Sequence, residues 1–456
     1  MVSAVLNRTT VSRLAPGLRP AVDPAELRPR VVHFGLGAFH RAHQAVYTER
    51  AAALTGEPWG IVAVAPRSAQ TVRALREQDC LYSLTERRPD GDRCRVVGSV
   101  VDALAMGPDA KAVDALLMDP AVTVVTLTVT EKGYQRSPVS GGLDTSAVAA
   151  DLAADPDGPL TTVIGRLAAG LAARMRAGAP PVSVVSCDNM ADNGGVLRRV
   201  VEDFVRASNW PDRARVLERM AEAVAFPATV VDRIVPAVGE ADRTGALATL
   251  GLRDALPVTA EPYRQWVLED SFAAPRPPWE HDGALFVPDV TPYQLTKLRL
   301  LNGSHSALAY VGTAAGLTTI AETMAAQWGE RLVRALCAEV APTLPAGGPD
   351  PAGYADDLVA RFRNPAMRHL LRQIGSDGSL KIQERWLPAL RELRARGAGT
   401  PVLELALAAW ALSTGPVTSV RDLLSSVGAA DLADDDALVT AVTQRLPALR
   451  AGRVEI

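Results

Sequence analysis

The stretch KLRLLNGSH, residues 297–305, sets an amine, a carboxamide and an imidazole (Lys297, Asn302 and His305) in a run that otherwise reads as buried helix. On an α-helix these positions sweep an arc of roughly 140° at about 100° per residue, and Asn302 and His305 are i, i+3 neighbours. Three such side chains on one helix wall can converge on a single cleft. The chemistry that suits them is oxidation of an alcohol without a metal. A lysine in a partly dry cleft gives up its proton more easily, because burial disfavours the charged form, and can then take a hydroxyl proton as hydride leaves carbon. An asparagine N–H can donate to the developing alkoxide oxygen, and a histidine can hold the same hydroxyl. The plainer alternative is a polar helix face with Lys297 in water.

The usage of lysine bears on that choice. Of 48 basic residues only Lys111, Lys132, Lys297 and Lys381 are lysines, and the rest are arginines. Arginine does not lose its proton in a protein, whereas lysine does when its surroundings lower its pKa. In a chain that uses arginine for generic positive charge, a lysine is a stronger functional candidate than usual. Lys111, in a polar helical stretch, reads as a surface residue.

The elements that would position these groups are legible from periodicity. RPRVVHF runs into a turn at Gly35 and Gly37, and RAHQAVYTERAAALTG follows as helix. This is a strand–turn–helix unit. WGIVAVAPRS and SAQTVRALREQ repeat it. AVTVVTLTVTEKGY reads as a long central strand, PPVSVVSCDNM as another, and NGGVLRRVVEDFVRAS as its helix. Such alternation predicts an α/β fold: a Rossmann-like, doubly wound N-terminal domain. After the Pro-rich SFAAPRPPWEHDG the pattern turns mostly α-helical. The expected division is 1–283 for the dinucleotide-binding domain and 284–456 for the helical substrate and catalytic domain.

Gly35 and Gly37 permit a tight turn and close backbone approach to a pyrophosphate, though His40 stands where a third glycine would sit. A ribose-binding acid is missing after the second strand, where Ala65-Pro66-Arg67-Ser68 stands instead. Arg67 and Ser68 could instead hold a 2′-phosphate, or form only a solvated strand end, so the cofactor reads as NAD or NADP. His40 and His43 lie at helical i, i+3 spacing but have no carboxylate or cysteine beside them, which points to interdomain packing or substrate contact rather than a metal. Asn189 and Asn193 follow another strand end, where α/β sites lie. Asn193, before Gly194, also reads as a helix cap.

Composition excludes little else. Apolar residues make up 48% and charged residues 22% of 456, with a net charge of −3, which gives no reason to expect nucleic acid or a membrane as partner. Cys80, Cys94, Cys187 and Cys337 form no CxxC pair, so a reducing cytoplasm is the expected compartment. MVSAVLNRTTVSRL lacks the apolar run of a signal peptide.

Together the motifs resemble the polyol-specific long-chain dehydrogenase/reductase family, which includes mannitol dehydrogenases and fructuronate reductases. The likeness rests on GxGxFHRAH (35–43), TEKGY (130–134), SCDNxxxNG (186–194), FPxTxVDRIVP (226–236), KxxxxNxxH (297–305) and DGSxK (377–381). It implies Lys297 as general base, Asn302 with a strand-end asparagine as oxyanion donors, and His305 on substrate hydroxyls. The asparagine aligns as Asn193, with Asn189 the rival. The resemblance also places Asp232 and Lys381 by the substrate, and Gly35, Gly37, Phe39, Arg67, Thr130 and Glu131 by the cofactor. Lys132 or Lys381 could pair with a sugar-acid carboxylate, while Lys132 reads equally as a contact to the cofactor or to a structural carboxylate. Family members include working monomers, so no oligomer is implied. Arg67, Ser68, Gln294 and Gln373 depart from the mannitol dehydrogenase pattern, and TEKGY is closer to the fructuronate reductase-like branch. The expected activity is interconversion of a polyol or sugar acid with its ketose, without a metal. The competing reading is a dinucleotide-binding sensor that kept the fold and lost the chemistry.

Overall fold

In the computed structural model, which describes residues 4–154, 158, 160–367, 369–416 and 419–456, contacts divide the chain after Val290 into Met1–Val290 and Thr291–Ile456. The Pro-rich stretch belongs to the first unit. Its Trp279 is buried and sits 4.4 Å, centroid to centroid, from Trp266.

The strands of the first unit are β1 (Arg28–Phe34), β2 (Trp59–Ala65), β3 (Tyr82–Glu86), β4 (Arg93–Val97), β5 (Val100–Ala105), β6 (Val124–Leu127), β7 (Val182–Ser186), β8 (Val224–Ala225), β9 (Thr229–Asp232), β10 (Val258–Ala260), β11 (Gln265–Glu269) and β12 (Leu285–Val287). Six of them form one sheet in the order β5-β2-β1-β6-β7-β8, every neighbouring pair parallel. Counted along the chain this is the 3-2-1-4-5-6 order of a dinucleotide-binding sheet, with the order reversing between β1 and β6. Parallel strands need apolar cover on both faces, and the sequence supplies it. Val32, Phe34, Val62, Val64, Val125 and Leu127 pack into a core on one side. Val31, Ile61, Ala63, Val124 and Val185 pack into a core on the other. Two three-stranded sheets, β10-β3-β4 and β12-β11-β9, complete the unit.

Two expected elements are shorter than periodicity suggests. AVTVVTLTVTEKGY contributes only the four residues of β6. Beyond Leu127 and Thr128 the N–H groups of Val129 and Thr130 turn to the Asp188 carboxylate instead of a neighbouring strand. The helix after the glycine turn is also broken, into Ala38–Ala42 and Gln44–Thr55, by His43 at φ −124°, ψ −87°. The break has identifiable partners. The Tyr82 hydroxyl donates to the carbonyl of Arg41, and the buried Arg233 guanidinium donates to that of Ala42, so groups that an unbroken helix would pair internally are satisfied from outside.

Three histidines are sealed in this region. His33, His40 and His43 are fully buried. His33 stacks on His40 with centroids 3.4 Å apart, and His43 stacks on Phe39 at 5.0 Å. The His40 and His43 rings are thus both packed against other aromatic groups of the first unit.

Among its described residues the second unit is built from helices. Pro401–Ser413, VLELALAAWAL with a proline before it and a serine after, is apolar nearly all round and buried through Ala411. Around it the helices Gly303–Ala314, Gly329–Val340, Leu387–Ala395 and Asp436–Arg450 contribute to a single core. A helix apolar on every side belongs at the centre of such a bundle. No helix among the described residues is long and apolar enough to cross a membrane.

The buried histidines make a prediction about acid. Burial pulls His33 and His43 down to about 3, and holds His40 well below its usual value. In the unfolded chain all three would titrate near ~6.5. Below that pH the unfolded state binds more protons than the folded state, so stability falls as pH falls. Three protons at about 1.4 kcal/mol per pH unit approach ~4 kcal/mol per pH unit. Denaturant unfolding of the first unit should therefore weaken steeply between pH 6.5 and 5. A flat stability over that window would contradict neutral burial of these rings.

Candidate active site

At the end of β1 the chain turns at Gly35, with φ +117°. A Cβ there would stand 2.1 Å from the carbonyl oxygen of Thr128, so the close approach of β1 and the segment after β6 demands glycine. Gly37 opens the next helix, and a Cβ on it would meet nothing within 4 Å. The turn thus offers bare backbone beside open space at the sheet's switch point, which fits a dinucleotide pyrophosphate. Phe39 is half-buried behind it.

His33 holds this turn from beneath. Its Nε2 lies 2.9 Å from the carbonyl oxygen of Gly35 and 2.8 Å from Thr128 Oγ1, and its Nδ1 lies 2.7 Å from Thr126 Oγ1. A carbonyl only accepts, so Nε2 carries the proton and Nδ1 of the neutral ring accepts from the Thr126 hydroxyl.

Asp188, just after β7, does the same for the neighbouring strand end. Its carboxylate accepts from the N–H groups of Val129 (3.0 Å) and Thr130 (2.9 Å) and from the Tyr134 hydroxyl (2.8 Å). Burial pushes its pKa above the usual carboxylate range, while these donors pull it back. Thr130 is thereby held at φ +68°. Thr130, Glu131 and Lys132 are exposed. Glu131 and Lys132, with Arg136 and Asp144, line a pocket of about 480 Å³.

Asn193 is 1% exposed. Its Nδ2 donates to the carbonyls of Asp188 and Thr229, both at 3.0 Å, and its Oδ1 accepts from the Thr229 N–H at 2.9 Å. Both ends of the amide are thus committed to tying the end of β7 to the start of β9. The cap of the following helix is Asp192, not Asn193. Asn189 is exposed on the same loop. Asp232 ends β9 and is 5% exposed. Its neighbour Arg233 is fixed by Glu86 and by the carbonyls of Ala42 and Glu261.

After β2, Arg67 is exposed and makes no ion pair among the described residues. Ser68 is occupied as a helix cap, accepting from the Thr71 N–H at 3.1 Å. Of the two residues considered for a 2′-phosphate, Arg67 alone is available as a charged donor.

In the second unit KLRLLNGSH is helical but not uniformly α. Lys297–Asn302 forms a π-helical turn between the α-helices Thr291–Thr296 and Gly303–Ala314. This corrects the 140° arc expected of an α-helix. The wider π turn, closed by i→i+5 hydrogen bonds, narrows the angle between residues five apart relative to an α-helix, and Lys297 and Asn302 are five apart at its two ends. Such turns occur often at functional sites. Lys297 is 9% exposed, and Asn302 and His305 are half-buried. The His305 ring stacks on Phe362 at 5.3 Å and tilts against His369 at 5.6 Å. Its Nε2 is buried without a hydrogen-bond partner, as a site awaiting a ligand would leave it. Burial, then His369, Arg385, Arg361 and Lys381, hold its pKa well below the usual histidine value. Lys381 donates to the carbonyl of Ile374 at 3.1 Å.

His33, Thr128, Asp188, Tyr134 and Arg385 were not singled out from the sequence. An acid directly after a strand (Asp188) and a histidine inside an apolar strand (His33) are the signals that could have found two of them.

Comparison with known proteins agrees with this fold. Residues 29–281 match the mannitol dehydrogenase Rossmann domain and residues 289–419 the mannitol dehydrogenase C-terminal domain. The chain is 39% identical to D-mannonate oxidoreductase of Escherichia coli (strain K12), over 88% of this chain and 83% of that protein. It is 38% identical to polyol:NADP oxidoreductase of Gluconobacter oxydans (strain 621H), over 85% and 80%. The structure of Pseudomonas fluorescens mannitol 2-dehydrogenase, a ternary complex with NAD and D-mannitol, superimposes with a TM-score of 0.80 at 35% identity, over 98% of this chain and 96% of that one. The chain belongs to the mannitol dehydrogenase family.

Proposed function

We propose that this oxidoreductase interconverts a secondary alcohol of a polyol or sugar acid with the corresponding ketose, without a metal, using Lys297 as the general base. The observation that carries the reading is the π turn with Lys297 and Asn302 at its ends, one α-helical turn before the unpartnered Nε2 of His305. Being a mannitol dehydrogenase-family enzyme, it uses NAD or NADP.

The roles follow from the groups available. Gly35, Gly37 and Phe39 line the cofactor turn, with Thr130 and Glu131 on the neighbouring strand end. Bound nicotinamide supplies the acceptor or donor of hydride. Lys297 Nζ takes the hydroxyl proton in oxidation and returns it in reduction. Asn302 Nδ2 donates to the oxygen as it becomes an alkoxide. Neutral His305 holds a substrate hydroxyl through Nε2, and Asp232, Lys381 and Lys132 bind the remaining polar groups. The second oxyanion donor is Asn193 if substrate displaces one of its two carbonyl acceptors, and Asn189 if those bonds persist.

Lys297→Ala should lower kcat by roughly 10²- to 10⁴-fold, the usual share of general acid–base catalysis, while a fluorescence titration with cofactor is unchanged. Retention of most turnover, or loss of wild-type activity to a chelator, would remove Lys297 from this role. Cofactor binding without turnover on any of fructose, fructuronate, tagaturonate or xylulose would instead support the sensor.

The two asparagines separate by a paired measurement. Loss of the oxyanion donor should cost about 10²- to 10³-fold in kcat. Asn193→Ala should also lower the melting temperature, because two buried carbonyls lose their donor. Asn189→Ala is the counterpart, and whichever variant shows the large kcat loss identifies the donor.

Arg67 is proposed to favour NADP. Arg67→Ala should raise KM for NADP by roughly 10- to 100-fold, the range of a hydrogen-bonded charge, and leave KM for NAD within a few-fold. An unchanged ratio of the two would place the 2′-phosphate elsewhere.

A further inference from the structure

Beside His305 stands a pair of cations that the roles above only half use. Lys381 and Arg385 lie four residues apart on the helix Gly378–Arg385, so their side chains share one face. Like charges at this spacing repel, and each lowers the readiness of its surroundings to hold another proton: burial first, then Arg385, depresses Lys381. Among the described residues neither has a carboxylate within ion-pair distance. Asp377 and Glu384 attract them only from further away.

The way Arg385 is held is specific. Its Nη1 donates to the Ser306 hydroxyl at 2.7 Å and to the carbonyl of Asn302 at 3.2 Å, residues on either side of His305. No described hydrogen bond uses its Nε or Nη2, and neither atom is among the buried, unpartnered ones. Nε and Nη2 form one edge of the guanidinium fork, and a carboxylate accepts two parallel N–H bonds from such an edge. Trp386, next along the chain, is fully buried and anchors the segment by donating to the Gly303 carbonyl at 3.1 Å.

We propose that Arg385, seconded by Lys381, binds the carboxylate of the substrate, which makes the substrate a sugar acid rather than a neutral polyol. The inference rests on the reading of Lys297, Asn302 and His305 as the reacting site, and it adds Arg385 as the residue that sets specificity. A phosphate ester is also anionic and can engage the same fork, so the fructose 6-phosphate arm of the test separates the two.

The test is a ratio of specificities measured on one preparation, which cancels any difference in the folded fraction. For the wild type, kcat/KM with fructuronate should exceed that with fructose and with fructose 6-phosphate, each with its preferred reduced cofactor. Arg385→Gln should lower the fructuronate-to-fructose ratio by roughly 10- to 100-fold. Arg385→Lys, which keeps the charge and loses the fork, should fall between. Wild-type preference for fructose or for the phosphate ester, or a ratio that Arg385→Gln does not move, overturns the carboxylate subsite while leaving the reacting trio intact. Turnover that survives Lys297→Ala overturns the trio, and no turnover of any of the three substrates by the wild type overturns both.

Discussion

The carboxylate of Asp188 is the interaction on which the first unit's site depends. The ladder between β6 and β7 stops at Leu127 and Ser186, and past that point nothing intrinsic to two parallel strands fixes the chain. Asp188 takes over by accepting from Val129, Thr130 and Tyr134. Thr128 is then held where its hydroxyl reaches the Gly35 carbonyl at 3.1 Å and its own carbonyl excludes any Cβ at position 35. The main-chain oxygen of Asp188 in turn receives Asn193, which carries the fixation on to β9. One buried acid thus joins the cofactor turn, the TEKGY segment and the strand end that bears Asp232. Its burial is costly, which is why three donors converge on it.

In the second unit the corresponding constraint is the π turn, whose hydrogen bonding is poorer than that of an α-helix and which needs support from its surroundings. The support is visible at each level. Leu300 and Leu301 enter the core. Arg299 is clamped between Glu392 and the carbonyl of Thr343. Arg385 takes the carbonyl of Asn302 and Trp386 that of Gly303. The apolar and arginine positions of KLRLLNGSH therefore hold an unfavourable turn in place, and that turn narrows the angle between Lys297 and Asn302 relative to an α-helix.

Much of this was legible in the sequence. The β/α alternation, both glycines and the change to helices each follow from local patterns that tertiary structure did not override. The polar trio was legible as well, since a scarce lysine, an amide and an imidazole in an apolar run have few structural explanations. What periodicity missed depends on distant partners. The strand after Leu127 ends early because Asp188, about sixty residues on, competes for its N–H groups. The helix breaks at His43 because Tyr82 and Arg233 capture its carbonyls. The π turn has no signature in the 3.6-residue repeat. The burial of His40 and His43 also escaped, because a histidine pair at i, i+3 looks the same in sequence whether it faces a ligand or a core.

The arginine-rich composition gives a further criterion for separating structural from functional charge. Where this chain buries an arginine, most of its donors are spent inside the fold, although Arg41 Nε, Arg166 Nε and Arg174 Nη2 find no partner. Arg166 Nη1 donates to both oxygens of Asp114, Arg174 donates to three carbonyls, Arg233 has Glu86 and two carbonyls, and Arg299 has Glu392 and Thr343. Arg385 is half-buried rather than enclosed: Nη1 alone is spent on orientation, and no described hydrogen bond uses its other edge. The neutrality of the His305 ring belongs to the same logic. A charged imidazole would add another cation to Lys381 and Arg385, and burial together with those neighbours keeps the proton off. What results is a local positive potential with an uncharged hydrogen-bonding ring at its edge, and the proposed carboxylate subsite rests on that combination.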